Sequence, residues 1–344
     1  TQFDAQVTFD GARRGIAGWM GAPAAMGALD YISPDASAAS AFIIDDPKAA
    51  AAELLGWLDQ AAPDLGEDPE AELGTELLAA LAAPLGGEMA LALDGPLLPE
   101  PSLKLVAEVY DEAAMQAAIE QAVARIGDVS MAAEGPALTV TPGTLGGHAT
   151  WSLRLDGDAG DPTAIWLYDG GYLVMTSNPA RLEDALRLRE AGVSLASSPA
   201  FQEALPAGGQ TAFSVLSWQN LAPWLNDIQA RAGDRVPEEI GGMSTTEIMQ
   251  SLAPSLVGGW AEADRIHFAA ASESSPLGIE ALLTMGMLPN ILGSMDSGDD
   301  GRGFERPGGA EMDRGDDPAW EHATGDLLRE LGDISNGGAQ DGGR

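Results

Sequence analysis

The stretch TELLAALAAPLGGEMA, residues 75–90, combines a helical pattern, a Gly-Gly turn and the start of an apolar strand. A similar stretch, TEIMQSLAPSLVGGWA, occupies residues 246–261, and the two are identical at seven of sixteen positions. The match holds at a constant offset of 171 from residues 41–90 to residues 212–261 without a gap. Ala, Leu and Gly are common in this chain, yet the match exceeds chance and predicts an internal duplication.

Each duplicated half is predicted to contain a strand, two helices and a hairpin. In the first half, Asp46-Pro47 and Asp68-Pro69 each start a helix, because Asp caps the helix and Pro fits its first position. The predicted strands of this half are residues 36–44, 88–93 and 103–110. The two halves span about 36–110 and 209–285.

The region between the halves, residues 111–208, is predicted to be a helix followed by a meander. Asp111 caps the helix, whose apolar side chains recur at spacings of four, four and three. Four strands joined by short turns follow, and Asn178-Pro179 and Ser198-Pro199 start two more helices. The predicted fold class is therefore α+β, an antiparallel sheet with helices packed on one side.

Residues 1–295 are predicted to form a single body, because no Pro/Ser-rich linker interrupts them. Residues 296–344 form an acidic tail rich in Gly and Asp, a composition that buries too little apolar surface to fold. We expect this tail to be largely disordered, although residues 318–333 could form a short amphipathic helix.

The composition disfavours several classes of partner. The formal charge of -36 comes from 53 acidic and 17 basic residues, and it disfavours both nucleic acid and anionic membrane surfaces. Two explanations of the acidity stay open, the Arg-for-Lys bias of a GC-rich genome and adaptation to salty surroundings. The chain has no cysteine, and no run of eighteen apolar residues predicts a transmembrane helix.

Catalytic motifs are scarce in this chain. It has no G-x-S-x-G, H-E-x-x-H, phosphate-loop or dinucleotide-binding pattern. The three histidines, His148, His267 and His322, fall in distant predicted elements, so no triad is expected from them. Carboxylate pairs remain a source of acid-base chemistry, but among 53 acids no single pair stands out. No catalytic residue and no cofactor is therefore predicted.

The best candidate metal site is a loop of closely spaced carboxylates. Asp156, Asp158 and Asp161 could converge on a calcium ion. The loop departs from the EF-hand pattern, because its fifth position is Gly160 and its twelfth is Leu167. The favoured interpretation is a solvated hairpin loop.

Two apolar segments are candidate surfaces for a ligand or partner. They are the uncharged, Gly-rich residues 15–29 and the Met-rich residues 285–295. The side chains predicted to form these surfaces are Trp19, Met20, Met285, Met287, Leu288 and Met295. Core packing is the favoured interpretation of both segments, and also of Trp57, Trp218 and Trp260.

Three runs of sequence carry capping and packing motifs. They are IDDPKA at residues 44–49, LGGEMALA at 85–92 and SLASSPAFQEAL at 194–205. These runs resemble an uncharacterised family of exported bacterial proteins of unknown function. The resemblance implies an extracytoplasmic location, in the periplasm or at the cell surface, and it implies no activity. Such proteins usually carry an N-terminal anchor or signal, and the start of this chain suits a mature or trimmed product.

Three functions remain open from the sequence. The favoured hypothesis is a non-enzymatic exported protein that acts as a binding or assembly module, with a protein partner, at the bacterial cell envelope. The first alternative is a carrier of a hydrophobic ligand or lipid held between helices and sheet. The second is a carboxylate-dependent hydrolase, which requires two buried acids that face each other in a cleft, one with a raised pKa.

Overall fold

A computed structural model describes most of the chain up to residue 270. The described residues are 3–61, 69–95, 102–132, 136–155, 162–206, 209–220, 222, 239–240, 243–244 and 254–270. The chain divides into residues 1–292 and residues 293–344, and every described residue lies in the first unit. The strand expected at the end of the second half and the acidic tail with its helix at 318–333 lie outside the described residues.

Strands outnumber helices in the described part of the chain. The strands are β1 (Phe3–Thr8), β2 (Ala38–Ile43), β3 (Leu85–Leu93), β4 (Leu103–Val109), β5 (Leu138–Leu145), β6 (His148–Leu155), β7 (Ala164–Asp169), β8 (Tyr172–Thr176), β9 (Val215–Gln219), β10 (Glu239–Ile240), β11 (Met243–Ser244), β12 (Ser255–Ala261) and β13 (Arg265–Ala270). The α-helices are α1 (Ile16–Trp19), α2 (Pro47–Ala61), α3 (Pro69–Ala82), α4 (Glu112–Ala132), α5 (Pro179–Glu190) and α6 (Pro199–Glu203). Two 3-10 helices, the first at Gly27–Tyr31 and the second at Leu195–Ser197, complete the set.

Eleven of the strands form one sheet, in the order β1-β13-β12-β9-β2-β3-β4-β8-β7-β6-β5. Each neighbouring pair in this sheet is antiparallel. The predicted α+β class and its antiparallel sheet are therefore confirmed. β10 and β11 form a separate two-stranded ribbon. β1, at one edge of the large sheet, was not predicted from the sequence.

Helices cover both faces of the sheet, which corrects the expectation that they pack on one side. On β8, Val174 joins a core cluster with the first 3-10 helix, α5 and α6, whereas the adjacent Leu173 joins a second cluster with α3 and α4. On β7, Leu167 belongs to the first cluster and the adjacent Trp166 belongs to the second. Successive side chains of a strand point to opposite faces, so the two clusters lie on opposite sides of the sheet.

Polar side chains cap four helices where the sequence predicted them to, and Asp68, the predicted cap of α3, lies outside the described residues. Asp46 at α2 and Asp111 at α4 each accept a hydrogen bond at 2.9 Å from the backbone N–H three residues later. Asn178 caps α5 by accepting from the N–H of Ala180, Ser198 caps α6 by accepting from that of Phe201, and a proline follows each cap. These bonds satisfy N–H groups that have no partner inside the helix.

The strand order is symmetrical about the central pair β2 and β9, because β3 and β4 flank one strand while β12 and β13 flank the other. The internal duplication itself is not confirmed. At the offset of 171, Leu256 corresponds to Leu85, yet Leu256 belongs to the first cluster and Leu85 packs against the second. The sequence match therefore aligns residues that face opposite sides of the sheet.

Candidate functional site

A patch of exposed and half-buried apolar side chains lies where α1 meets α2. The indole rings of Trp19 and Trp57 stack with their centroids 5.0 Å apart and their planes 20° from parallel. Ile16 precedes Trp19 by three residues and is 67% exposed, and Leu54 precedes Trp57 by three residues and is also exposed. Residues three apart in a helix lie on the same face. We call these four side chains the aromatic surface.

Polar groups border the aromatic surface and hold α1 in place. The indole N–H of Trp19 donates a 2.6 Å hydrogen bond to Glu53 Oε2. The guanidinium of Arg13 donates to the carbonyl oxygens of Ala17 and of Met20, the latter at 2.9 Å. Arg13 Nε is buried and has no hydrogen-bond partner. Charge-assisted bonds of this kind fix a four-residue helix that is too short to be stable alone.

The sheet positions the segment that carries the aromatic surface. Gly21 N–H donates to Ile43 O at 2.8 Å, and Asp45 N–H donates to Trp19 O at 2.9 Å. Gly15 has a φ of 60°, a conformation that favours glycine, and a side chain there would lie 3.5 Å from the ring of Trp57. The backbone of this segment is thus tied to the end of β2.

Two of the predicted surface residues, Trp19 and Met20, lie at this patch. Met20 is half-buried and pairs with Ile44 through an isolated bridge, so it supports the patch and contributes little exposed area. The other four predicted side chains lie outside the described residues, and so do the three carboxylates of the candidate calcium loop. The set outside is Met285, Met287, Leu288, Met295, Asp156, Asp158 and Asp161.

Sequence reasoning missed the α2 half of the patch. Trp57 was expected in the core, but it is only half-buried, whereas Trp218 and Trp260 are buried as expected. The available signal was the spacing of Leu54 and Trp57, which places both on one face of α2, one helical turn apart. The sequence does not show which face of α2 the core covers.

Two glutamates, Glu88 on β3 and Glu108 on β4, lie close together, and Glu88 contacts the first 3-10 helix. Glu88 is buried, and its carboxylate accepts hydrogen bonds from Ala28 N–H and from the hydroxyl of Tyr172, the latter at 3.1 Å. Burial raises the pKa of Glu88 above its ordinary value, and the negative charge of Glu108 adds to the rise. This pair resembles the arrangement that the hydrolase hypothesis requires.

The hydrogen bonds of Glu108 show what the second carboxylate does. The register between β3 and β4 shifts between Leu85 and Met89. Glu108 Oε2 accepts from the backbone N–H groups of Gly87 and Glu88, at 3.0 and 3.3 Å, within this irregular stretch. Both carboxylates therefore bind backbone donors, as structural acids do.

A buried ion pair lies on the same face of the sheet. Lys104 is 1% exposed, and its ammonium pairs with Asp94, which is 0% exposed. The ammonium also donates to Tyr31 O at 2.8 Å, and Asp94 Oδ2 accepts from Ser33 N–H at 3.0 Å. Burial lowers the pKa of Lys104, and the charge of Asp94 opposes that shift. The pair therefore ties the end of the first 3-10 helix to the sheet.

Tyr31 connects this helix to the β7–β8 turn. Its hydroxyl donates to Asp169 O at 2.6 Å, and Asp169 also forms an ion pair with Arg189. The guanidinium of Arg189 lies 4.7 Å from the centre of the Tyr31 ring. Burial, followed by the charge of Asp169, raises the pKa of the Tyr31 hydroxyl, so it remains a donor at neutral pH.

Metal-binding and histidine-based chemistry find no support in the described residues. Within them, no three His, Cys, Asp or Glu side chains are placed to hold a metal ion. His148 begins β6, and His267 on β13 pairs with Asp4 at 2.8 Å and stacks on Trp260. In the same part of the chain, no helix is long and apolar enough to cross a membrane.

Protein-family models and curated proteins provide no relative from which a function could be transferred. No protein-family model matches the chain, and no curated protein matches it. Any functional assignment therefore depends on the chemistry of the chain itself.

Proposed function

We propose that this chain is a non-enzymatic binding module that acts at the bacterial cell envelope and engages a protein partner through the aromatic surface. The observation that carries the proposal is the exposure of Ile16 and Leu54 beside the stacked indoles of Trp19 and Trp57. Aromatic side chains with exposed apolar neighbours and a polar border are typical of protein-binding sites. The resemblance to exported proteins supports the location.

The polar clusters favour a binding role over an enzymatic one. Glu88 and Glu108 bind backbone N–H groups, and Lys104 and Asp94 bind each other and the backbone around Tyr31. A general acid or base must reach a substrate proton, usually within about 3 Å or through one water. Glu88 and Lys104 are buried and already bonded to the first 3-10 helix, and the hydrogen bonds of Glu108 and Asp94 are likewise made inside the fold, so these side chains do not meet that requirement.

The described core does not favour the carrier alternative. Trp218, Phe201, Phe213 and Leu216 are fully buried between the sheet and its covering segments. These side chains fill the interface in which a lipid would have to bind. The Met-rich residues 285–295 lie outside the described residues, so native mass spectrometry of freshly purified protein is the direct test for a bound lipid.

Site-specific photocrosslinking in the native host tests the proposed partner surface. A benzoylphenylalanine introduced at Ile16 should give a discrete crosslinked adduct, and Trp57→Ala should reduce its yield by about tenfold, as expected for a contact residue of the interface. The matched control is the same probe at Val193, an exposed apolar residue between α5 and the second 3-10 helix.

The outcome decides between a partner surface and an ordinary exposed patch. Equal adducts at both positions, or none at Ile16, would contradict the proposed surface. Fractionation of the same cells tests the location, because a pool found entirely in the cytoplasm would contradict a role at the envelope.

A further inference from the structure

The backbone of β1 presents a row of hydrogen-bonding groups to solvent. Phe9 N–H donates to Asp264 O at 2.8 Å, and these residues continue the register in which Thr8 lies opposite Arg265. In an antiparallel pair, residues that face their partners with hydrogen bonds alternate with residues that do not. The odd-numbered residues of β1 therefore bond to β13, and Asp4, Gln6 and Thr8 direct their backbone N–H and C=O groups outward.

The hydrogen bonds between β12 and β13 support this assignment. Glu262 N–H donates to Arg265 O at 2.9 Å, so the odd-numbered residues of β13 face β12 and the even-numbered ones face β1. No strand of the described residues pairs with the outer side of β1. Among the described residues, the edge thus offers three N–H and three C=O groups without a partner strand, along Asp4, Gln6 and Thr8.

The opposite edge of the sheet differs from this one. β5 contains Pro142, which has no N–H to donate, followed by Gly143. Prolines on edge strands are a common protection against the addition of another strand. β1, with the sequence FDAQVT, has no such residue. Of the two edges, β1 is therefore the one on which a strand can be added.

The side chains of β1 indicate what kind of strand would fit. Phe3 and Val7 share one face and are 42% and 47% exposed. Asp4 lies on the other face and remains 72% exposed despite its pair with His267. An added strand would place apolar side chains beside Phe3 and Val7, and basic side chains on the face of Asp4, in a chain whose net charge is -36.

We propose that the outer edge of β1 is a docking site for an extended, basic and apolar segment of another protein, which adds to the sheet as a twelfth strand. This mode of recognition uses main-chain hydrogen bonds for affinity and alternate side chains for specificity. The site is separate from the aromatic surface and does not depend on it. A second copy of this chain is disfavoured as the occupant, because two chains of charge -36 repel each other.

The test uses the full chain and a soluble octapeptide of alternating lysine and valine. Hydrogen exchange with and without the peptide should slow the amides of Asp4, Gln6 and Thr8 by about tenfold or more, the effect of one ordinary hydrogen bond each. A peptide of the same composition, with its lysines and valines in separate blocks, controls for charge. A peptide of alternating glutamate and valine controls for charge complementarity. Both should bind about tenfold more weakly or worse.

A backbone variant separates strand addition from other binding. Gln6→Pro removes an outward N–H and leaves the bonds from β1 to β13, so peptide affinity should fall by about tenfold. Gln6→Ala is the matched control, since it changes the same side chain and keeps the N–H. If Gln6→Pro loosens β1, the hydrogen exchange of the unmodified chain with and without the peptide still decides whether a strand adds to β1.

The outcomes that would overturn the proposal are specific. Equal binding of the alternating and block peptides would show attraction by charge alone. Protection of amides on β5 instead of β1 would replace the proposed site. Concentration-dependent dimerisation that protects β1 in the absence of peptide would replace the proposed occupant with a second copy of this chain.

Discussion

Glu88 and Lys104 are charged side chains at strand positions that face the core. Glu88 alternates with the buried Ala90 on β3, and Lys104 alternates with the buried Val106 on β4. Glu88 binds the backbone N–H of Ala28, while Lys104 binds the carbonyl of Tyr31. Charge-assisted hydrogen bonds therefore hold the first 3-10 helix near both of its ends.

Glu88→Gln should change how the stability of the protein depends on pH. The amide can keep both bonds of Glu88, accepting from Ala28 N–H and donating to Tyr172 Oη. The folded-state pKa of Glu88 is raised, so the stabilisation by its proton is complete below the ordinary pKa and is lost as pH rises through the raised value. In urea unfolding at several pH values, the free energy of unfolding of the variant should increase relative to that of the natural chain as pH rises over that window.

A stability difference between the Glu88→Gln variant and the natural chain that stays constant from about pH 4 to about pH 8 would contradict this role of the Glu88 proton. Glu88→Ala serves as the comparison, because it leaves Ala28 N–H buried without its acceptor. That loss should cost about 1–3 kcal/mol.

Lys104→Met should destabilise the fold by about 3–5 kcal/mol, because it leaves the carboxylate of Asp94 buried without its counter-charge. The double variant Asp94→Asn with Lys104→Met removes both charges and keeps an acceptor for Ser33 N–H. It should be more stable than the single variant. Chemical denaturation of all four members of the double-mutant cycle measures the coupling, and purely additive effects would contradict a direct pair.

At the scale of single elements, local signals in the sequence predict more than contacts between distant elements do. Asp46 and Asp111 cap their helices as predicted, because a cap depends on residues within one turn. The second half begins with β9 at Val215–Gln219, and Phe213 just before it pairs with Ala24. Residue 24 is nearly two hundred positions away, so periodicity alone carries no information about that pairing.

The same limit applies to the candidate site. The helical spacing of Leu54 and Trp57 predicts a shared face, but only the packing of α1 against α2 creates the stack with Trp19. β1 was not predicted, because six residues with modest alternation give only a weak strand signal. The pairing with β13 that forms this strand is visible only in the structure. Glu88 carried a usable signal in its alternation with Ala90, whereas its bond to Ala28 depends on tertiary structure.

Gly258→Ala should reveal how tightly β12 packs against the first cluster. A side-chain carbon there would lie 2.5 Å from the ring of Phe213 and 2.8 Å from that of Trp260, so both rings would have to move. Overpacking of this kind costs about 1–3 kcal/mol. Gly56→Ala in α2 is the opposite control, since its added carbon meets nothing within 4 Å and should stabilise the helix by about 0.5–1 kcal/mol. Thermal unfolding that ranks the two variants in the reverse order would contradict this packing.

For the whole molecule, the dominant property is the charge of -36. Screening weakens repulsion between exposed carboxylates, so raising sodium chloride from about 0.05 to about 1 M should increase the free energy of unfolding. Potassium chloride should increase the free energy of unfolding equally. The effect of salt should depend on pH, and sucrose at matched osmolality should not reproduce that dependence. Stability that is independent of salt near neutral pH, where the acids are ionised, would favour genome bias as the origin of the acidity.

The large sheet also joins distant parts of the chain. Thr8 of β1 lies opposite Arg265 of β13, 257 residues later, and β2 pairs with β9 across a separation of more than 170 residues. Pairings of this range require long loops to close and are slow to form. On the ribosome, β1 emerges first of the described strands and its partner emerges last. Throughout synthesis the segment FDAQVT therefore lacks its partner strand, and β1 can join the sheet only once β13 has been made.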